Sequence, residues 1–144
     1  MNRLILLLAA GALLFSACSP VQPAPTQAPT APLNPYPPRP GDDALRRGNV
    51  YLDQVDLLIM ESFPIQVSLS IQGSLPTPCH QLRVVVLEAD DENRIQVELY
   101  SLVDPILLCV QVLEPFSLDL PLGAFSAGHY EVWINGELVG EFDA

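Results

Sequence analysis

Three cysteines and two histidines hold most of the chemistry this chain could perform: Cys18, Cys79, Cys109, His80 and His129. A nucleophilic thiol needs a reduced sulfur with a base beside it. Cys79 and His80 are adjacent, but neighbours in extended chain point to opposite sides. Cys79, His80, Cys109 and His129 also make a conceivable metal donor set. Zinc ligands usually come in pairs about two to four residues apart, and these do not. A blue-copper site takes two His, one Cys and often a late Met. The one Met beyond the start is Met60, far before Cys109. Gly-x-Ser-x-Gly and His-Glu-x-x-His do not occur. Asp90-Asp91-Glu92-Asn93 is acidic but lacks the EF-hand pattern, and reads as a solvated hairpin turn. The sequence therefore predicts no enzyme, no metal site and no cofactor.

Cys18 has a context of its own. The chain opens MNRLILLLAAGALLFSAC. Arg3 sits beside the amino terminus, residues 4–15 are uncharged and almost all apolar, and the small residues Ser16 and Ala17 follow. That is the order of an export signal. A membrane-spanning helix needs about 20 apolar residues, and here prolines begin at Pro20. Phe15-Ser16-Ala17-Cys18 resembles the lipobox of bacterial lipoproteins, with Phe where Leu is usual. The resemblance implies a diacylglyceryl group on the Cys18 sulfur, cleavage just before it, and acylation of the new amine. One acyl chain holds weakly and two or three anchor stably. The expected location is exported and membrane-anchored through lipid on Cys18, in the cell envelope or at the cell surface.

Residues 19–41 read SPVQPAPTQAPTAPLNPYPPRPG, with nine prolines in 23 positions. Proline fixes φ and removes a donor, so neither helix nor central strand is available. An extended tether at about 3.1 Å per residue fits this composition, and would reach roughly 70 Å. A proline-rich ligand for another protein, around Pro37-Pro38-Arg39-Pro40, is the functional alternative. Residues 42–48 form a polar junction. The expected plan is a signal helix over 1–17, a lipidated Cys and disordered Pro-rich linker over 18–48, and one domain over 49–144.

The net charge is −11, and all six basic residues are Arg. Removing Arg3 with the signal takes the charge from −11 to −12. Such a surface is repelled by nucleic acid and by anionic headgroups, so no nucleic-acid partner is expected and attachment should come from the lipid. With Cys18 assigned by the lipobox resemblance, Cys79 and Cys109 have one intramolecular pairing. Export puts them where disulfides persist; two buried thiols are the alternative.

The elements that must carry these residues read as strands. Ile65, Val67, Leu69 and Ile71 alternate with polar residues, as do Ile95, Val97 and Leu99, then Phe116, Leu118, Leu120 and Leu122, then Tyr130, Val132 and Ile134. Residues 82–87 are apolar on both sides apart from Arg83 and read as a central strand. Residues 55–60 and 138–142 supply the first and last strands. Asn135-Gly136 and residues 90–93 are hairpin turns. Residues 106–113 read as either a strand or a loop crossing between sheets. The fold class is all-β, an antiparallel sandwich of about seven strands.

The run Leu122, Gly128, Tyr130, Val132, Ile134, Asn135, Gly136 resembles the last hairpin of bacterial immunoglobulin-like and fibronectin type III-like domains. The resemblance implies an immunoglobulin-like sandwich, with Tyr130 bonding back to the preceding loop. The cysteine spacing lacks the Cys–Trp–Cys order of antibody domains, so Cys79 and Cys109 should not form an inter-sheet bridge. Trp133 and Tyr100 fall on the polar phase of their strands. They either cover the outer sheet face or offer a surface for an unknown protein or glycan ligand. The function expected is non-catalytic binding or envelope structure on a lipid-anchored protein. A carbohydrate- or protein-binding module using Trp133 and Tyr100 is the second reading. A proteinase-inhibitor-like sandwich is a third, without a recognisable inhibitory loop.

Overall fold

The computed structural model describes residues 34–144. The signal segment, Cys18 and the first part of the Pro-rich stretch lie outside the described residues. A short 3-10 turn, Asp42–Ala44, leads into eight strands: β1 (Arg46–Gly48), β2 (Tyr51–Met60), β3 (Ile65–Leu75), β4 (Gln81–Val86), β5 (Arg94–Val103), β6 (Glu114–Phe125), β7 (His129–Ile134) and β8 (Glu137–Asp143). Among the described residues no helix is long and apolar enough to cross a membrane.

The strands form two sheets. One has the order β2-β3-β6, antiparallel throughout. The other is built around β5. β4 lies on one edge of β5, and β7 followed by β8 lies on the other. β1 continues that second edge, opposite Ser101, Leu102 and Val103 where β7 has ended. The period-2 alternation puts Val67, Leu69 and Ile71 of β3 and Leu118 and Leu120 of β6 on one inner face. Ile95, Val97 and Leu99 of β5, Val84 of β4, and Val132 and Ile134 of β7 form the other. At one end the core closes with an aromatic triad, in which Tyr130 stacks on Phe142 and both lie about 5 Å from Phe125. Burying each large apolar side chain contributes about 1.5–3 kcal/mol.

The fold is the expected all-β sandwich, and several details differ. β5 and β7 run parallel, so the pairing is mixed where an antiparallel sandwich was expected. Parallel neighbours need a crossover, and β6 in the opposite sheet supplies it. In an immunoglobulin constant domain the third strand lies beside the sixth. Here β5 stands between β4 and β7, because β4 takes the far edge of β5. The hydroxyl of Tyr130 makes no hydrogen bond among the described residues; its ring is committed to the triad instead.

The folded part also begins before residue 49. β1 and the Asp42–Ala44 turn lie inside the expected linker. The Asn34 amide donates to the Val84 carbonyl at 2.6 Å, and the Val84 N–H donates to the Tyr36 carbonyl at 2.8 Å. These bonds cover the edge of β4, which would otherwise present unpaired backbone groups. Residues 106–113 resolve as a loop.

Candidate functional site

The outer face of the β5 sheet carries the residues singled out for binding. Tyr100 is half-buried on β5, with Arg83 of β4 as its cross-strand neighbour. On its other side the Arg47 guanidinium sits 3.8 Å from the ring centroid and donates to Glu98 at 3.1 Å. β1 places Arg47 there, so one face of Tyr100 is already covered by a cation. Trp133 is half-buried on β7, and its indole N–H donates to Glu131 at 2.9 Å. Its neighbour across β7–β8 is the exposed Leu138. Trp133 lies beside Gln96, four residues along β5 from Tyr100. That separates the two aromatics by about 13 Å along the strand, with Glu98 between them. Both aromatics therefore stand on one face, and the structure does not bring them into contact.

A groove of about 460 Å³ opens beside Tyr100. Arg47, Asn49, Glu98, Tyr100 and Asn135 line it. Asn135 carries more of this site than its turn role predicted. Asn135 and Gly136 take φ of 51° and 87°, as a two-residue type I′ turn requires. The Asn135 N–H donates to the Val97 carbonyl at 3.0 Å. Its side-chain oxygen accepts from the Leu99 N–H at 2.9 Å, and its amide donates to the Leu99 carbonyl at 3.0 Å. The side chain thus extends the β7 ladder along β5 toward the point where β1 takes over. A Cβ at Gly48 would stand 3.1 Å from the Ser101 hydroxyl, so β1 approaches β5 closely here. That hydroxyl is fully buried and donates to the Asn49 carbonyl at 2.8 Å. Arg47 and Asn49 had no signal in the sequence beyond being polar. The groove is lined by a cation, a carboxylate, an amide and an aromatic ring, with Arg47 paired to Glu98 and the Asn135 amide bonded to Leu99.

The second polar centre is a clamp. Arg83, 4% exposed at its side chain, meets Asp42 through two parallel bonds of 2.7 and 2.9 Å. It also donates to the Leu82 carbonyl and to Gln81. The hydrogen bond from Arg83 lowers the Asp42 pKa to about 2, and the same bond raises that of Arg83. The clamp fastens the N-terminal cover to β4.

Cys79 and Cys109 are joined, with Cα atoms 6.1 Å apart. Neither lies in a strand; the bridge links the β3–β4 connection to the β5–β6 loop. His80 is held by Thr77 at 2.8 Å. His129 lies 2.8 Å from Asp143 and 3.6 Å from Glu141, and the bond to Asp143 raises its pKa. Asp90 accepts the backbone N–H groups of Glu92 and Arg94 and the Arg94 side chain, which makes the acidic tetrapeptide a turn. Among the described residues no three His, Cys, Asp or Glu side chains gather as metal ligands.

Fold and surface define a small all-β sandwich module. The chain belongs to the ORF11 beta-sandwich domain family, whose family model matches residues 69–144. That match begins within β3 and leaves the cover, β1 and β2 outside it. The "Uncharacterized 10.2 kDa protein in HgiCIIM 5′region" of Herpetosiphon aurantiacus is 28% identical over 88 residues, 58% of this chain and 89% of its own length. No solved structure matches the chain.

Proposed function

We propose that the protein is an exported lipoprotein, acylated on Cys18, that carries its sandwich on a Pro-rich tether and works by binding or as envelope structure, without catalysis. The observation that carries this reading is the order of the N-terminal sequence: a charged end, an uncharged apolar run, Phe15-Ser16-Ala17-Cys18, then a proline-rich stretch leading to one folded unit. Two or more acyl chains would give stable attachment to an otherwise acidic protein. The test is an intact mass of the membrane-extracted protein. An N-terminal Cys18 bearing acyl mass is the expected result, with a gain of about 2 Da on reduction as the bridge opens. An unacylated chain in the soluble fraction sinks the anchor.

A second reading is favoured by the groove beside Tyr100. Arg47, Glu98, Tyr100 and Asn135 would bind a polar ligand there, a glycan or an extended peptide. Glycan and peptide arrays probed with wild type, Tyr100→Ala and Trp133→Ala check it. Loss with Tyr100→Ala alone places the ligand in the groove. Loss with both implicates the whole outer face. Equal binding by all three ends the aromatic-surface reading.

A further inference from the structure

The β5–β6 loop is the least expected surface of the molecule. Residues 105–113, PILLCVQVL, carry no charge. Ile106 is 87% exposed and Leu108 98%, and Leu107, Val110, Val112 and Leu113 are each more than half exposed. Soluble surfaces rarely gather so many aliphatic side chains, and such a patch marks something that covers it. The loop is held in place: Cys109 bonds Cys79 near its middle, and the Asp104 side chain accepts the Ile106 N–H at 3.0 Å.

Its surroundings say what the cover is. Val103, which leads into the loop, lies opposite Arg46 of β1. Arg46 and Arg39 are exposed, and neither makes an ion pair among the described residues. Of the cations in β1, β4 and the cover, Arg83 is buried on Asp42 and Arg47 pairs with Glu98, which leaves Arg46 and Arg39 exposed. Asp104 and Glu114, both exposed, flank the loop in sequence. The apolar loop has Arg46 opposite its lead-in residue and Asp104 and Glu114 at its two ends, so its margin carries both signs, as the headgroups of a zwitterionic phospholipid surface do. The tether adds proximity. Fifteen residues separate Cys18 from Asn34, a reach of about 50 Å if extended. A bilayer would thus face the loop at high effective concentration.

We infer that residues 105–113 form a docking loop that dips into a zwitterionic membrane surface and fixes the orientation of the sandwich on its tether. The inference rests on the lipid-anchor reading for that proximity, and its test does not need the anchor. The processed chain, starting at position 18 with Cys18→Ser, cannot be acylated. Mixed with phosphatidylcholine vesicles, it should co-sediment with them. Ile106→Asp with Leu108→Asp should lower the apparent partition at least about tenfold. Both side chains are exposed, so the thermal midpoint should hold. Arg46→Gln should weaken binding less. No vesicle binding, or equal partition with and without the aspartates, overturns the inference. So does a dimer that the same substitutions dissociate, which would give the loop to a second copy. Vesicle binding in a protein whose wild type carries no acyl mass supports the loop and sinks the anchor.

Discussion

At the scale of single residues, Asn135 shows how one side chain can serve two structural demands. Its backbone takes a positive φ in the β7–β8 turn, and its amide replaces a missing stretch of ladder on Leu99. These demands separate by substitution. Asn135→Gly keeps the turn and loses both bonds, which should cost about 1–3 kcal/mol. Asn135→Ala loses the bonds and also strains the left-handed backbone, adding roughly 1–2 kcal/mol. Urea unfolding of the three proteins should rank wild type above Gly and Gly above Ala. A Gly variant as stable as wild type would show that the Leu99 bonds contribute nothing.

At the scale of elements, the staple joins two connections that have little regular structure of their own. The bridge closes a separation of 30 residues between the β3–β4 connection and the β5–β6 loop. In the chain-entropy account that stabilises the fold by about 3–4 kcal/mol. The double substitution Cys79→Ala, Cys109→Ala should lose about that amount in urea, while β3, β5 and β6 keep their circular dichroism below the transition. A loss below about 1 kcal/mol would mean that the unfolded chain was already restricted. The strands were legible because burial leaves a local trace: Val67, Leu69 and Ile71 alternate with polar residues within one strand. The Asn135-Gly136 turn was legible for a similar reason. The cover was not. Asp42 meets Arg83 across 41 positions, and neither neighbourhood mentions the other. The one available signal was Arg83 itself, a charge inside an apolar strand, which demands a buried partner. The same limit applies to the groove. Tyr100 and Trp133 showed their outward phase, but Arg47 reaches Tyr100 only because β1 joins β5. The β5–β7 parallel pairing is likewise a product of chain crossing, which alternation cannot report.

At the scale of the whole molecule, charge should set the pH at which the sandwich is most stable. Asp42 is held near 2 by its bond to Arg83, and Asp90 is held below the usual carboxylate range by its bonds to the Arg94 backbone and side chain. A depressed carboxylate stabilises the fold above its unfolded pKa of about 3.9, and that stabilisation disappears as pH falls through the folded value. The acid limb therefore lies between about pH 4 and pH 2. His129 works in the other direction. Its pKa is raised by Asp143, so its contribution is complete below about 6.5 and is lost as pH rises through the folded value. The pair is exposed and screened, so this limb should be shallow. Net charge reinforces it, since the chain moves from neutral near pH 4.2 to −11 at pH 7 and repels itself increasingly. Together these place the maximum of the thermal midpoint near pH 5, below neutrality. Asp42→Asn should lower that maximum and flatten the acid limb. His129→Gln should flatten the limb from pH 6 to 8 and leave the acid limb alone. Added salt should raise the midpoint more at pH 8 than at pH 5, because screening relieves repulsion only where charge has accumulated. A midpoint constant from pH 5 to 9 and indifferent to salt would mean that the carboxylates stand too far apart to act on one another.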